Sequence, residues 1–120
     1  MTTKKHQSYQ YGLEAENYAA QALEACGMKI ICLRFKTPFG EIDIVAQDKE
    51  YLVFIEVKAR QRVANQDIVS SAKISKICKA ADYYLMTNEL PQSIPIRFDY
   101  VAMEGLKIID HIVAAWEYPS

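Results

Sequence analysis

Gly40-Glu41-Ile42-Asp43-Ile44-Val45, followed by Leu52-Val53-Phe54-Ile55-Glu56-Val57-Lys58, is the stretch that decides this fold. The second run places four apolar residues in a row before its first charge. A strand that is apolar at consecutive positions is buried on both faces, so helices or loops must cover each side of its sheet. Ionised side chains in such a strand are costly unless they are paired or coordinate a metal. Asp43, Glu56 and Lys58 therefore need a physical reason to be there.

Working outward, the chain reads as alternating helix and strand signals. Residues 8–26 carry Gly12, Glu16, Ala19, Ala20 and Leu23 at helical spacing on one face, and Gly27 supplies a stop. Glu16 is the anomaly, an acid on a face of small residues. Strands are expected over about 28–36, 41–47 and 51–60, with turns at Pro38-Phe39-Gly40 and Gln47-Asp48-Lys49-Glu50. Such short connections imply an antiparallel meander. A helix follows over about 68–87, with Ile74, Ile77, Cys78, Ala81 and Leu85 as its apolar stripe. Strands over 96–103 and 107–113 complete the chain, separated by Gly105. The expected order is α-β-β-β-α-β-β, an α/β fold with a mixed central sheet flanked by helices. The second helix is long enough to form a crossover, and strand 51–60 is placed at the centre.

At 120 residues and 51% hydrophobic content, the chain suits one domain with one core, residues 1–7 being expected as a disordered tail. No apolar run approaches the length of a membrane span, and no apolar segment follows the basic start, so neither membrane nor export is expected. Cys26, Cys32 and Cys78 have no metal-ligand or redox spacing and read as reduced thiols, which points to the cytoplasm. The net charge of −1 excludes a general polycation. Residues 29–79 nonetheless hold ten Lys/Arg against six Asp/Glu, so the positive excess falls on the segment containing Asp43 and Glu56.

Glu56 and Lys58 share a strand face with Phe54 and Arg60, and Asp43 sits on the neighbouring strand. Phosphodiester hydrolysis needs acidic oxygens for Mg²⁺ or Mn²⁺, an activated water, and positive charge at the transition state. Asp43 and Glu56 suit the first role, with Glu16 helping to hold the metal, and Lys58 suits water orientation or charge stabilisation. A Glu-x-Lys tripeptide alone is weak, arising about once in a few hundred residues of average composition. Arg34, Arg60 and Lys73 are candidate phosphate contacts, Arg34 and Lys36 also reading as solvated strand ends. Glu41 reads equally as a supporting acid or a surface residue. Arg97 and Asp99 read as a structural ion pair, His111 as a structural histidine, and Trp116, Tyr118 and the other tyrosines as packing residues.

Gly12-x-x-Ala-Glu16, Phe39-Gly-Glu-Ile-Asp43, Val53-Phe-Ile-Glu56-Val-Lys58-x-Arg60, Lys73, Arg97-Phe-Asp99 and Ile109-x-His111-Ile resemble, in order, the YraN-like family of small bacterial proteins. That family is related to the restriction-endonuclease-like nucleases of the PD-(D/E)xK type, and the spacing is also similar to that of archaeal Holliday-junction resolvases. The resemblance implies a restriction-endonuclease-like fold, a metal-dependent endonuclease site at Asp43, Glu56 and Lys58 with Glu16 in support, DNA as partner, branched DNA as a candidate substrate, and a homodimer. Residues 61–67, Gln-Arg-Val-Ala-Asn-Gln-Asp, depart from the family pattern in lacking glycine. Two other readings stay open: a non-catalytic nucleic-acid-binding protein of the same fold, and a protein-interaction module.

Overall fold

The computed structural model describes residues 4–60 and 69–118, excluding the side chains of 4–11 and Arg60. Helix α1 (Lys4–Ala25) leads into strands β1 (Lys29–Thr37), β2 (Gly40–Asp48) and β3 (Tyr51–Arg60). Helix α2 (Ser71–Thr87) then leads into β4 (Ile96–Glu104) and β5 (Lys107–Trp116). The strands form one sheet in the order β1-β2-β3-β4-β5. β1, β2 and β3 pair antiparallel, β3 and β4 parallel across the α2 crossover, and β4 and β5 antiparallel. This is the expected mixed α/β order, with β3 central, as in the restriction-endonuclease-like fold.

Two boundaries differ from expectation. Helix α1 begins at Lys4, so residues 4–7, assigned to the tail, are helical. Helix α2 begins at Ser71 rather than 68, because Ser70 takes an extended conformation and its hydroxyl accepts from the Lys73 amide at 3.2 Å. The glycine-free segment 61–67 lies outside the described residues.

The consecutive apolar residues of β3 are buried in alternation on the two faces of the sheet. Val53 and Ile55 join Ala15, Ala19, Ala20 and Leu23 of α1 in one cluster, completed by Ile44, Ala46, Val101 and Met103. The alanines keep α1 close to the sheet. Leu52 and Phe54 join Ile77, Cys78, Ala80, Ala81 and Tyr84 of α2 in the other, with Ile42, Val45 and Phe98. Phe54 meets Tyr84 edge-on at 5.6 Å and Phe98 at 5.8 Å. Its truncation to alanine would cost about 3–5 kcal/mol. No helix among the described residues is long and apolar enough to cross a membrane. The cysteines described are free thiols.

The alternation slips around Asp43. Ile44 packs on the α1 side and Ile42 on the α2 side, although residues two apart in a regular strand share a face. The same inversion occurs opposite, where Leu33 packs towards α1 and Phe35 towards α2. Between them Arg34 adopts φ +53, the left-handed region. Pairing of β2 with β3 runs from Asp48–Tyr51 to Ile44–Ile55 and stops there. Asp43 therefore occupies the point where β2 separates from the central strand.

Candidate functional site

At that separation the Asp43 side chain takes over from the strand ladder. Its Oδ2 accepts from the Val57 amide at 2.8 Å, so β3 is held to β2 through a carboxylate instead of a backbone carbonyl. The bond fixes Asp43 where the β2–β3 ladder ends.

Glu16 arrives from α1 and Glu41 from β2, and one carboxylate oxygen from each lies within 4.8 Å of the others and of Asp43. From the α2 side comes Glu56, which alternates with Phe54 along β3. It is coupled to Asp43 by charge and by a side-chain hydrogen bond. Lys73, in the first turn of α2, places Nζ 3.3 Å from Glu56 Oε1. Arg34 Nη1 donates to Glu16 Oε1 at 3.2 Å and to Asn17 Oδ1 at 3.4 Å. Lys58 is exposed and has no ion-pair partner among the described residues.

Burial and crowding raise the proton affinity of Asp43, Glu16 and Glu56. The Asp43 carboxyl is pushed up to about 8, first by burial and then by the Glu56 charge, against the pull of the Val57 amide. Glu16 is pushed up to about 7 by burial and then by Asp43, although Arg34 pulls it down. Burial also raises Glu56, and Lys73 counters it. Carboxyls perturbed by desolvation and mutual repulsion in one cleft mark a functional site more often than a structural one. Hard carboxylate oxygens converging from separate elements fit Mg²⁺ or Mn²⁺, which neutralise the repulsion.

The structure thus brings together Asp43, Glu16 and Glu56, and adds Lys73 as the partner of Glu56. Glu41, read from sequence as site or surface with equal weight, joins Glu16 and Asp43. Its signal was spacing, two residues from Asp43. Arg34, read as a phosphate contact or a strand end, spends Nη1 on Glu16 and Asn17. Arg60 carries no described side chain. Lys36, Lys76 and Lys79 are exposed.

Arg97 and Asp99 form the expected structural pair. Asp99, fully buried on β4, accepts from Arg97 Nε and Nη2, each at 2.9 Å, and from the Ala114 amide at 3.0 Å. His111 Nε2 lies 2.9 Å from Asp99 Oδ2, and Arg97 Nη1 donates to Asp48 Oδ2 at 2.9 Å. His111 is thereby part of a network that ties β5 and β2 to β4. Trp116 stacks on Phe98 at 5.5 Å, a packing role as expected.

The profile of the uncharacterised protein family UPF0102 matches residues 15–103. A UPF0102 protein of Rhodopseudomonas palustris (strain HaA2) is 40% identical over 111 residues, covering 92% of this chain and 87% of that protein. One from Lachnoclostridium phytofermentans is 39% identical, covering 88% and 93%. One from Shewanella baltica (strain OS155) is 40% identical, covering 81% and 91%.

Proposed function

The chain belongs to the uncharacterised protein family UPF0102, the YraN-like proteins, and from that premise we propose that it is a divalent-metal-dependent endonuclease acting on DNA in the cytoplasm. The observation that carries this reading is Asp43, anchored by the Val57 amide where β2 leaves β3, with three further carboxylates around it. A structural role would not gather acids whose mutual repulsion destabilises the fold.

Asp43, Glu16 and Glu41 would hold Mg²⁺ or Mn²⁺, with Glu56 completing the set from the opposite face. When bound, the metal supplies a hydroxide at neutral pH and neutralises charge on the scissile phosphate. The chain's own contribution is orientation and charge. Lys58 Nζ, solvent-facing and next but one to Glu56, stabilises the negative charge that builds on the phosphoryl oxygens. Lys73 favours the ionised form of Glu56 against the burial that opposes it, and so favours its ligating or orienting the attacking water. Arg34 holds Glu16 towards the cluster.

The test is incubation of the purified protein with labelled four-way junction, flap, duplex and single-stranded DNA in Mg²⁺ and in Mn²⁺, beside Asp43→Ala and Glu56→Ala. Cleavage that disappears in both variants while they stay folded supports the reading, and the preferred substrate names its class. Equal cleavage by wild type and variants removes the site assignment. The alternative is a non-catalytic nucleic-acid-binding protein, favoured by the Lys73–Glu56 ion pair and the near-neutral net charge. It predicts retained binding with no cleavage in either metal.

A further inference from the structure

Tyr100 of β4 is the register partner of Glu56 in the parallel β3–β4 ladder. The neighbouring pairs fix the face. Phe54 and Phe98, two residues earlier, lie in the α2-side cluster, whereas Val57 and Val101, one residue later, pack on the α1 side. Glu56 and Tyr100 therefore stand side by side on the α2 face, on strands about 4.8 Å apart. Tyr100 is only 3% exposed, and its hydroxyl is buried with no hydrogen-bond partner among the described residues. Burying an unsatisfied hydroxyl is destabilising. Phenylalanine, which already fills positions 54 and 98 of this face, would fill the same space without that cost.

The side chain beside Tyr100 in register is that of Glu56, a carboxylate. Its carboxylate gives Oε1 to Lys73 at 3.3 Å, which leaves acceptor capacity to spare. We infer that Tyr100 is a positioning residue whose hydroxyl donates to Glu56 when that carboxylate turns from Lys73 to a divalent cation. The inference rests on the reading of the acids as a metal site and adds the residue that orients one of them. A metal-ligating carboxylate needs such an outer hydrogen bond to fix which oxygen faces the ion. Tyr100 touches neither metal nor phosphate in this scheme; it acts through Glu56.

The experiment is calorimetric titration of Mn²⁺ into the full chain as wild type, Tyr100→Phe, Glu56→Gln and the double variant, with the metal-free melting temperature of each. Tyr100→Phe is expected to weaken Mn²⁺ about tenfold. Its metal-free melting temperature should be equal to or above that of wild type, because only an unsatisfied hydroxyl is removed. In the Glu56→Gln background, Tyr100→Phe should change Mn²⁺ affinity by less than about twofold, since its target is gone. Unchanged affinity in Tyr100→Phe, an equal loss in both backgrounds, or a lowered metal-free melting temperature overturns the inference while leaving the metal site standing. A wild type that does not bind Mn²⁺ overturns both, and the wild-type titration alone separates the two failures.

Discussion

Asp43 carries two opposed demands in one carboxyl. The Val57 amide at 2.8 Å favours the ionised form, while burial and Glu56 disfavour it and win, raising its proton affinity to about 8. Because the folded-state value lies above the unfolded value of about 3.9, the ionised group destabilises the metal-free fold progressively as pH rises between the two. Asp43→Asn keeps an acceptor for Val57 and removes the charge. It is expected to stabilise the metal-free protein by on the order of 1 kcal/mol at pH 8.5 and by almost nothing near pH 4, read by urea unfolding. A variant less stable than wild type at pH 8.5 would show that the amide bond outweighs the repulsion. Protons and metal compete for the same oxygens, so Mn²⁺ affinity of the wild type should fall as pH drops from 8 towards 6. Titration calorimetry at the two pH values checks this; pH-independent affinity would exclude Asp43 and Glu16 as ligands.

Among the elements, β1 and β4 hold the site's frame by different means. On β4, Asp99 is fully buried and its carboxyl lies below the usual range, because His111, Arg97 and the Ala114 amide together outweigh the burial that opposes them. A depressed folded-state value means that the network stabilises above the unfolded value of about 3.9 and is lost as pH falls through the folded one. Asp99→Asn takes the charged partner from Arg97 Nε and Nη2, leaving it the Asp48 pair, and should cost about 3 kcal/mol at pH 7, a deficit that narrows on acidification. Denaturant melts at pH 7 and pH 3 would show it; an equal deficit at both would assign the cost to packing. On β1, Arg34 combines φ +53 with an ion pair to Glu16, and two substitutions separate these contributions. Arg34→Gly relieves about 1 kcal/mol of backbone strain and gives up a half-exposed pair worth under about 1 kcal/mol, so stability should change little. Arg34→Val keeps the strain, adds branching that the left-handed region resists, and should cost more than about 1 kcal/mol. Thermal unfolding of the two variants orders them, and a Val variant as stable as the Gly variant would remove the kink from the account of the site.

Over the whole molecule, charge is uneven where net charge is nearly nil. The positive excess of residues 29–79 falls on the segment that also carries Glu41, Asp43 and Glu56, while residues 80–120 hold two Lys/Arg against six Asp/Glu. If Lys58 contacts a phosphate, Lys58→Ala should lower the slope of log affinity for DNA against log salt by about 0.9, whereas Lys107→Ala on β5 should leave it unchanged. Fluorescence anisotropy over a series of KCl concentrations measures both slopes, and equal slopes for wild type and Lys58→Ala remove Lys58 from the interface. The element order, the central place of β3, the parallel crossover and the proximity of Asp43 to Glu56 were legible in the chain. They depend on local properties: an apolar run long enough to need cover on both faces, turn residues between strands, and a helix long enough to return the chain. The convergence of Glu16, Glu41, Asp43 and Glu56 was only half legible. Strand periodicity assigns Glu56 to the α2 face, whereas Glu16 comes from α1 on the other side of the sheet. What joins them is the slip of that period at Arg34 and Asp43, where the β2–β3 ladder ends. Such a slip follows from how two helices, each seeking its own apolar partners, pull neighbouring residues of one strand to opposite sides. That competition exists only once the helices are docked, so the sequence determined the frame and tertiary packing decided where the acids meet.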